Sequence, residues 1–387
     1  MLKYVNVTSS GLESGTIKKA IAQVSELNAL GLASELVIIS DHSFPEPTEL
    51  PPHITIVPID TISKADLISR LGRMLQIRRV LRDIVQSLDQ QDILYYRGFE
   101  FQLSYYPRAF FKRNRRCRII SEHQSIEIRQ ALLYRSYLSV LRDLLAGGFV
   151  TGQSDGIIGV TDEITSFWSR RLFCRKLPHT TIPNGFDVRS VRVRSAPSAE
   201  HGDLHILFVG NISRWHGLDR IIRGIADYRG TVGLHLHVVG NGDELSNLQE
   251  LKRVLAPEAH IYFHDVYVGQ QLDAAFDECH IAIGSLGVHR NGMRQASSLK
   301  VREYCSRGIP FILSNTDPDF PETFEYCLHV EPDDSPLDME EVVSFARSTC
   351  NEPEHPRIMR NYAERNLDWS VKAKEIYGFL DSVLKGP

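Results

Sequence analysis

Short apolar strands alternate with amphipathic helices along almost the whole chain, and this alternation restricts the possible folds more than any other feature. The strands read KYVNVTSS, ELVIIS, ITIVPI, DILYYRG and RIISEH in the first part, where SDGIIGVTDEI adds a strand, a turn and a helix. In the second part they read LHILFVG, LHLHVVG, IYFHDV, CHIAIGS, PFILS and CLHVE. Strands that alternate with helices predict parallel sheets with helices on both faces. We therefore expect an α/β fold built from doubly wound parallel sheets.

The alternation is interrupted once, which predicts two domains. Residues 189–203 are polar and carry no hydrophobic periodicity, so they are predicted to form a linker. A length of 387 residues also suits two domains. We place one Rossmann-like domain at residues 1–188 and a second at 204–365, and we expect a C-terminal helix at about 366–387 to pack back on the first. With a short linker, the two sheets should face each other across a cleft.

The composition and charge of the chain exclude several classes of protein. Hydrophobic residues make up 42% and charged residues 24%, and the formal net charge is −4, which suits a globular protein better than a general nucleic-acid binder. No uncharged segment approaches the roughly 20 apolar residues that a membrane-spanning helix needs. MLKYVNVTSS lacks the apolar core of a signal peptide. The six cysteines form no C-x-x-C pair, so we expect free thiols and a cytoplasmic protein.

Basic residues concentrate in one part of the first domain. Residues 64–142 hold 16 Lys and Arg but only 7 Asp and Glu. Within this range, YYPRAFFKRNRRCR at 105–118 places six basic residues among aromatic ones. Such a segment favours an anionic membrane surface or a lipid-diphosphate acceptor, although many charged runs are solvated loops. No stacking platform or groove-reading helix accompanies it, so we expect no nucleic-acid partner.

Three turns between a strand and a helix could present backbone N–H groups to an anion. Gly15 opens the helix after SSGLESG, and Gly242 lies in VVGNGDEL, whose incomplete glycine pattern is a weak dinucleotide motif. In FVGNISRWHGLD, the polar residues Asn211, Arg214 and His216 precede a helix, and the last two could neutralise a diphosphate. Each turn alone is also compatible with a plain turn or a solvated loop.

Residues 284–314 (GSLGVHRNGMRQASSLKVREYCSRGIPFILS) carry the most features of a binding site. A helix is predicted to begin near Ser298, where the N–H groups of Ser298, Leu299 and Lys300 could bind an anion. Glu303 follows on the first helical turns, where a carboxylate can accept hydrogen bonds from both hydroxyl groups of a ribose. The segment therefore predicts a site for a phosphorylated nucleoside.

These motifs resemble the family 4 glycosyltransferases of the GT-B fold. QASSLKVRE followed by YCSRGIPFIL is similar to the family's E-x7-E, helix and A-x-G-x-P-V pattern. FVGNISRWHGLDRII, LHVVGNGDELSNLQ, VTDEITSFW, IPNGFDV and NYAERNLDWSVKAKEIYGFL resemble further segments of the family. The resemblance covers about residues 155–380 and is weaker before them. It implies the GT-B fold, with an acceptor-side first domain and a second domain that binds a nucleotide sugar.

The resemblance also assigns roles near the transferred sugar. Glu303 matches the family's second glutamate and would hold the ribose, whereas Gln295 stands where the first glutamate contacts the donor sugar. His123, next to the strand RIISEH, would approach this sugar from the first domain, although a structural role suits it equally. These three residues are the candidate catalytic residues.

The family's diphosphate-binding residues are replaced in this chain. The usual Arg and Lys align with Asn211 and His216, so the resemblance leaves the diphosphate short of positive charge. His216 would be cationic only near or below neutral pH. Arg214, Arg290 or Lys300 would supply the missing charge.

The function implied by the resemblance is retaining glycosyl transfer from a nucleotide-diphosphate sugar to a glycan or lipid-linked acceptor, in cell-surface polysaccharide assembly. Front-face attack, with the departing phosphate taking the acceptor proton, would leave the enzyme to position the reactants and stabilise charge. We expect no cofactor and no metal, and we interpret Asp317-Pro-Asp319 as a turn despite its likeness to a metal-binding D-x-D. A cytoplasmic location is expected, peripheral at the inner face of the membrane if the basic segment binds lipid.

Two other functions stay open at this stage. A sugar-nucleotide epimerase can share this fold, but the sequence offers no convincing pair of carboxylates for acid and base. A non-catalytic sugar-nucleotide-binding subunit of a polysaccharide complex is compatible with the replacements at Gln295, Asn211 and His216. An NAD-dependent dehydrogenase is less compatible, because the glycine motif is incomplete.

Overall fold

A computed structural model describes residues 1–8, 11, 14–41, 50–59, 67–97, 107–133, 135–197 and 202–386. The chain divides into unit 1, residues 1–185 and 369–387, and unit 2, residues 186–368. Residues 189–197 of the predicted linker thus lie in unit 2. There the buried Arg194 donates hydrogen bonds to the carbonyl oxygens of Gly308, at 2.9 Å, and His280, at 3.1 Å, so this stretch is a fixed part of the unit.

Each unit contains one parallel β-sheet. The strands of unit 1 are β1 (Leu2–Thr8), β2 (Ser34–Ser40), β3 (Ile54–Pro58), β4 (Ile93–Arg97), β5 (Arg118–His123), β6 (Gly156–Gly159) and β7 (His179–Thr181), in the order β3-β2-β1-β4-β5-β6-β7. The strands of unit 2 are β8 (Leu204–Val209), β9 (Leu234–Val239), β10 (His260–His264), β11 (Ile281–Ile283), β12 (Phe311–Leu313) and β13 (Cys327–His329), in the order β10-β9-β8-β11-β12-β13. The predicted α/β class with doubly wound parallel sheets is confirmed.

Helices connect most of the strands. They are α1 (Gly15–Ala29), α2 (Leu67–Gln86), α3 (Glu127–Leu133), α4 (Tyr137–Arg142), α5 (Gly148–Thr151), α6 (Asp162–Ser169), α7 (Leu218–Asp227), α8 (Leu245–Leu255), α9 (Gln270–Glu278), α10 (Leu299–Arg307), α11 (Met339–Cys350), α12 (His355–Asn366) and α13 (Trp369–Lys385). In the ranges that the structure describes, no helix has the length and apolar character needed to cross a membrane. All six cysteines are buried and carry free thiols, as expected.

The apolar periodicity of each helix explains how it covers its sheet. In α1, Ile17, Val24 and Leu27 are buried against the sheet of unit 1, and Gly31 follows the helix with a φ of +86°, which a residue with a side chain rarely adopts. In the last helix, Trp369, Ala373, Ile376, Leu380 and Val383 join the same core. Although α13 is last in sequence, it therefore belongs to the core of unit 1.

The strand order of unit 2 reverses between β8 and β11. All strands are parallel, so the loops that follow β8, β9, β11 and β12 emerge at the same edge of the sheet. In open α/β sheets, ligands bind at such a reversal, outside the carboxyl ends of the strands. The predicted donor-binding motifs of unit 2 lie in or next to these loops.

Candidate functional site

Three loops at the carboxyl edge of the unit 2 sheet are tied together by backbone hydrogen bonds. The N–H of Ile212, after β8, donates to the carbonyl oxygen of Asn241, after β9, at 2.8 Å. The N–H of Leu286, after β11, donates to the carbonyl oxygen of His216 at 2.9 Å. Three predicted motifs therefore form one cluster. We call it the switch-point loops, residues 210–217, 240–244 and 284–292.

Glycines are needed where the first two of these loops touch. A Cβ atom on Gly242 would lie 2.1 Å from the carbonyl oxygen of Ile212. A Cβ atom on Gly240, whose φ is +136°, would lie 2.1 Å from the carbonyl oxygen of Gly210. Any side chain at either position would push the loops apart. Gly242 thus allows a close approach of two backbones, and its contact with a phosphate stays a prediction.

His216 shapes the loop after β8 as a buried ring. The N–H of Ser213 donates to its Nδ1 at 3.2 Å, and the exposed Asn211 supports the same turn by donating from Nδ2 to the Ser213 hydroxyl at 2.7 Å. Burial, together with the nearby Lys300 ammonium, holds the pKa of His216 well below its usual range. The imidazole is therefore neutral at pH 7. His216 therefore carries no positive charge without a ligand, and its contact with a diphosphate stays a prediction.

Arg290 is engaged by two carboxylates. Its guanidinium donates to the two carboxylate oxygens of Asp219 at 2.6 and 3.0 Å, and from Nε to Asp334 at 2.6 Å. Burial alone would lower the pKa of Arg290, but these carboxylates raise it. A further hydrogen bond reaches the carbonyl oxygen of Arg214 at 3.0 Å, while the Arg214 side chain is exposed. Arg290 is thus a cross-link between α7 and the loop after β11, contrary to the expectation that it supplies charge to a ligand.

The Lys300 amino group has no anionic partner among the described residues. Its Nζ is buried and makes no hydrogen bond to any described residue. Nζ lies 3.8 Å from the centroid of the Phe208 ring, and a Cβ atom on Gly210 would lie 3.3 Å from it. Burial lowers the pKa of Lys300 well below its usual range. A negatively charged ligand at this point would favour the protonated form and restore its charge.

The start of α10 adds a second attraction for an anion beside Lys300. Within the described residues, the Ser298 side chain makes no capping hydrogen bond, and the first N–H groups of a helix, here including those of Leu299 and Lys300, have no partner inside it. Further along, the Glu303 side chain is 22% exposed and accepts a hydrogen bond from Arg307 Nε at 2.8 Å. The carboxylate is thus restrained next to the helix start, and its contact with a ribose stays a prediction.

Gln295, which precedes α10, lies next to the D-x-D segment that follows β12. Gln295 forms a parallel backbone bridge with Thr316. The fully buried Arg302 donates to both carboxylate oxygens of Asp317 at 2.9 Å and to Asp319 at 2.5 Å. Burial opposes the charge of Arg302, but the two carboxylates raise its pKa above the usual range. Asp317-Pro-Asp319 therefore forms the predicted turn, and both its carboxylates bind an internal arginine.

Two buried residues that the sequence analysis did not single out hold the site in place. The Tyr304 hydroxyl accepts from the N–H of Val209 at 3.1 Å and donates to the carbonyl oxygen of Ile283 at 3.2 Å, so it bridges β8 and β11 where the strand order reverses. Arg220 donates to the carbonyl oxygen of Leu286 at 2.7 Å and fixes the loop after β11. Neither role has a sequence signal, since Tyr or Arg on a helix also suits a core or a solvated face.

The remaining predicted residues, His123 and Gly15, lie in unit 1. His123 ends β5 as a buried ring that stacks on Trp168 with centroids 4.2 Å apart, and its Nε2 lies 3.2 Å from the Ser121 hydroxyl. Burial lowers the pKa of His123 to about 4, so the ring is neutral at pH 7. Gly15 is the exposed first residue of α1, after the N-cap Ser14. Contact of either residue with a donor sugar stays a prediction.

The basic segment of unit 1 divides into exposed and buried residues. The Arg115 side chain is buried and lies 2.8 Å from Asp155, and Phe110 is buried in the core. The expectation that all six basic residues serve a membrane is corrected, because Arg115 has a structural role. Arg108, Lys112, Arg113, Arg116 and Arg118 are exposed. The aromatic residues 105 and 106 of the prediction lie outside the described part of the chain.

Comparison with known proteins agrees with this architecture. Residues 192–365 match the family model described as "Glycosyl transferases group 1". No curated protein matches the chain in sequence. Among solved structures, sucrose-phosphate synthase from Thermosynechococcus elongatus is similar over 97% of both chains, with 14% identity and a TM-score of 0.70.

Two further structures show the same fold. HepE from Anabaena, in complex with UDP and glucose, is similar over 98% of this chain and 100% of its own, with 12% identity and a TM-score of 0.66. The lipopolysaccharide outer core galactosyltransferase WaaB is similar over 98% and 99%, with 13% identity and a TM-score of 0.63. These likenesses confirm the predicted GT-B fold. The fold of the chain is therefore GT-B, and residues 192–365, within unit 2, match the model of a glycosyltransferase domain.

Proposed function

We propose that the chain moves a sugar from a nucleotide-diphosphate sugar to a glycan or lipid-linked acceptor in cell-surface polysaccharide assembly, with retention and without a metal ion. The observation that carries the proposal is the buried amino group of Lys300, which has no hydrogen-bond partner among the described residues and lies at the switch-point loops. Two of the similar structures support this chemistry. HepE was solved with UDP and glucose, and WaaB acts on the lipopolysaccharide outer core.

The diphosphate is proposed to bind at the start of α10. The N–H groups there and the Lys300 ammonium would contact its oxygens, since the flexible four-carbon stem of lysine lets Nζ move toward the ligand. This lysine would replace the two family cations whose positions are taken by Asn211 and the neutral His216. Arg214 is exposed on the neighbouring loop and would add a second charge.

The remaining predicted residues would position the sugar and the nucleoside. Glu303 would accept hydrogen bonds from the ribose, and Gln295 and His123 would contact the transferred sugar. In the reaction, the bond from the anomeric carbon to the diphosphate breaks and a bond to the acceptor oxygen forms on the same face, while the acceptor proton passes to the departing phosphate oxygen. Lys300 and the helix start would stabilise the negative charge that develops on that oxygen.

Binding of UDP should draw a proton from solution, because burial lowers the pKa of Lys300 and a bound anion would raise it again. Calorimetric titration at pH 8 in two buffers of different ionisation enthalpy measures this uptake. We expect up to about one proton per UDP bound. Uridine, which lacks the diphosphate, should show none.

Two variants make this experiment specific. Lys300→Met should abolish the proton uptake, whereas Arg214→Met, which removes an exposed cation of the neighbouring loop, should retain it. UDP binding without proton uptake, or uptake that survives in Lys300→Met, would remove the support for a diphosphate at this lysine. Incubation of the wild-type protein with donor and acceptor in EDTA, followed by NMR of the product, then tests metal independence and retention.

Glu303→Ala should weaken UDP binding by about 30-fold or more, since loss of a charged hydrogen bond to a ligand costs on the order of 2–4 kcal/mol. The fold should persist, because Arg307 keeps its ion pair with Asp273 at 2.6 Å. Asp273→Ala is the matched control, since it removes the other partner of Arg307 and should leave UDP affinity unchanged. If Glu303→Ala and Asp273→Ala bind UDP with equal affinity, the ribose does not contact Glu303. 2′,3′-Dideoxy-UDP, which lacks both ribose hydroxyl groups, should bind to wild type and to Glu303→Ala with the same affinity.

A further inference from the structure

Residues 137–151 form a helical segment whose apolar side faces solvent. α4 continues through a π-helical turn, residues 143–147, into α5. Leu138, Leu141, Leu144 and Leu145 lie on one stripe at spacings of three and four residues, and they are between 52% and 76% exposed. The charged Asp143 is buried instead. This arrangement is the reverse of a helix on a soluble surface and marks an interaction face.

The inner side of the segment is firmly fixed. The buried carboxylate of Asp143 accepts a hydrogen bond from Arg171 at 2.6 Å. Cβ atoms on Gly148 and Gly152 would lie 2.8 Å from the carbonyl oxygen of Leu172 and 2.7 Å from the Cβ atom of Phe173. The glycines therefore allow the helix to lie directly on the loop after α6. This close packing fixes the orientation of the helix and keeps its leucines exposed to solvent.

Aromatic contacts join this helix to the basic segment. The exposed Phe149 ring lies 5.8 Å from Phe111 and 5.6 Å from Phe173, and Phe173 and Leu172 are themselves exposed. The three stretches thus form one continuous surface. We call it the apolar–basic face, residues 107–118, 135–149 and 170–176.

Basic residues predominate on this face, with Asp89 lying 4.0 Å from Arg116 and Asp155 lying 3.8 Å from Arg118 as neighbouring acidic groups. Its exposed basic residues are Arg108, Lys112, Arg113, Arg116, Arg118, Arg135, Arg142, Arg170, Arg175 and Lys176. The single acidic residue in the three stretches, Asp143, is buried and paired with Arg171. A second copy of the same face would bring like charges together, which opposes self-association. Leucines flanked by Arg and Lys instead fit an anionic lipid surface, where the basic heads reach phosphate groups and the leucines enter the acyl boundary.

We propose that the apolar–basic face docks the protein onto an anionic lipid bilayer. The leucines of α4 and the π-helical turn insert, and the surrounding basic residues bind the headgroups. The contacts that carry this surface lie wholly in unit 1, whereas the switch-point loops belong to unit 2. Vesicle binding and UDP binding are therefore measured independently.

The test is co-sedimentation with vesicles of phosphatidylcholine alone or with 30% phosphatidylglycerol, at low and high salt. Wild type should pellet with the anionic vesicles and be released in part by salt. Leu138→Ser with Leu145→Ser should weaken vesicle binding at least tenfold. The matched control, Val266→Ser with Val268→Ser, removes two exposed apolar side chains from unit 2 and should bind like wild type.

A charge variant and a probe separate attraction from insertion. Lys112→Ser, Arg113→Ser and Arg116→Ser together should weaken binding to anionic vesicles, whereas removal of the exposed Arg347, Arg365 and Lys374 should not. In Leu145→Trp, the fluorescence of the introduced tryptophan should be quenched by lipids with brominated acyl chains. Equal pelleting of wild type and the leucine variant overturns the proposal. The proposal is also overturned if the wild-type protein does not bind anionic vesicles. A concentration-dependent dimer that the leucine variant abolishes would assign the face to a second copy.

Discussion

Replacing Lys300 by methionine should weaken UDP binding by about 30-fold to several hundred-fold and, at the same time, raise the free energy of unfolding. A charged hydrogen bond to a ligand contributes on the order of 2–4 kcal/mol, which corresponds to this loss of affinity. Without ligand, the same amino group is buried with no hydrogen-bond partner among the described residues, so its removal eliminates a desolvation cost. Lys300 thus strengthens UDP binding but lowers the free energy of unfolding of the ligand-free protein, so its replacement changes the two quantities in opposite directions.

Calorimetry with UDP and urea unfolding without ligand measure the two quantities. Arg214→Met is the control, since its exposed side chain should change the free energy of unfolding by less than about 0.5 kcal/mol. Unchanged affinity in Lys300→Met would exclude this lysine from the ligand site. A lower free energy of unfolding would instead show that the contact of Nζ with Phe208 stabilises the fold.

Arg302→Ala should lower the free energy of unfolding by about 3–5 kcal/mol, because it leaves the buried carboxylate of Asp317 without its cation. A carboxylate stranded in this way has a raised pKa, so it binds a proton in the folded state before it does so in the unfolded chain. The deficit should therefore shrink as pH falls through that raised pKa. Urea unfolding at pH 8 and pH 5 measures both effects.

Arg290→Ala provides the comparison. This change also removes an arginine with two carboxylate partners, but the side chain of Asp334 is 65% exposed and can be hydrated. We expect a smaller loss, about 1–2 kcal/mol, that depends little on pH. Equal losses for the two variants would mean that burial of Asp317 does not determine the cost.

The sheets were predictable because nearly every strand is a short run of β-branched and aliphatic residues. β7 was not, since HTT carries no apolar residue. The helical segment at 137–151 was also missed. Its leucines face solvent, so a search for helices that cover a core has no reason to choose it.

The roles of individual side chains depend on partners that are distant in sequence. Arg290 and Lys300 are equal as sequence candidates for a diphosphate. Only the fold brings Asp219 and Asp334 to Arg290 and leaves Lys300 without an anion. The charge of His216 likewise follows from its burial, which no spacing reveals. The motifs therefore locate the site, and the contacts decide which cation serves it.

The position of α13 affects the order in which the two units can fold during synthesis. Unit 2 is one uninterrupted stretch, residues 186–368, and a backbone bridge between Phe186 and Asp368 closes its two ends. Unit 1 needs Trp369, Ile376 and Leu380 to complete its core. During synthesis, all residues of unit 2 are therefore available while unit 1 still lacks the helix α13 of its core. The first half of the chain to be translated is the last to be able to finish folding.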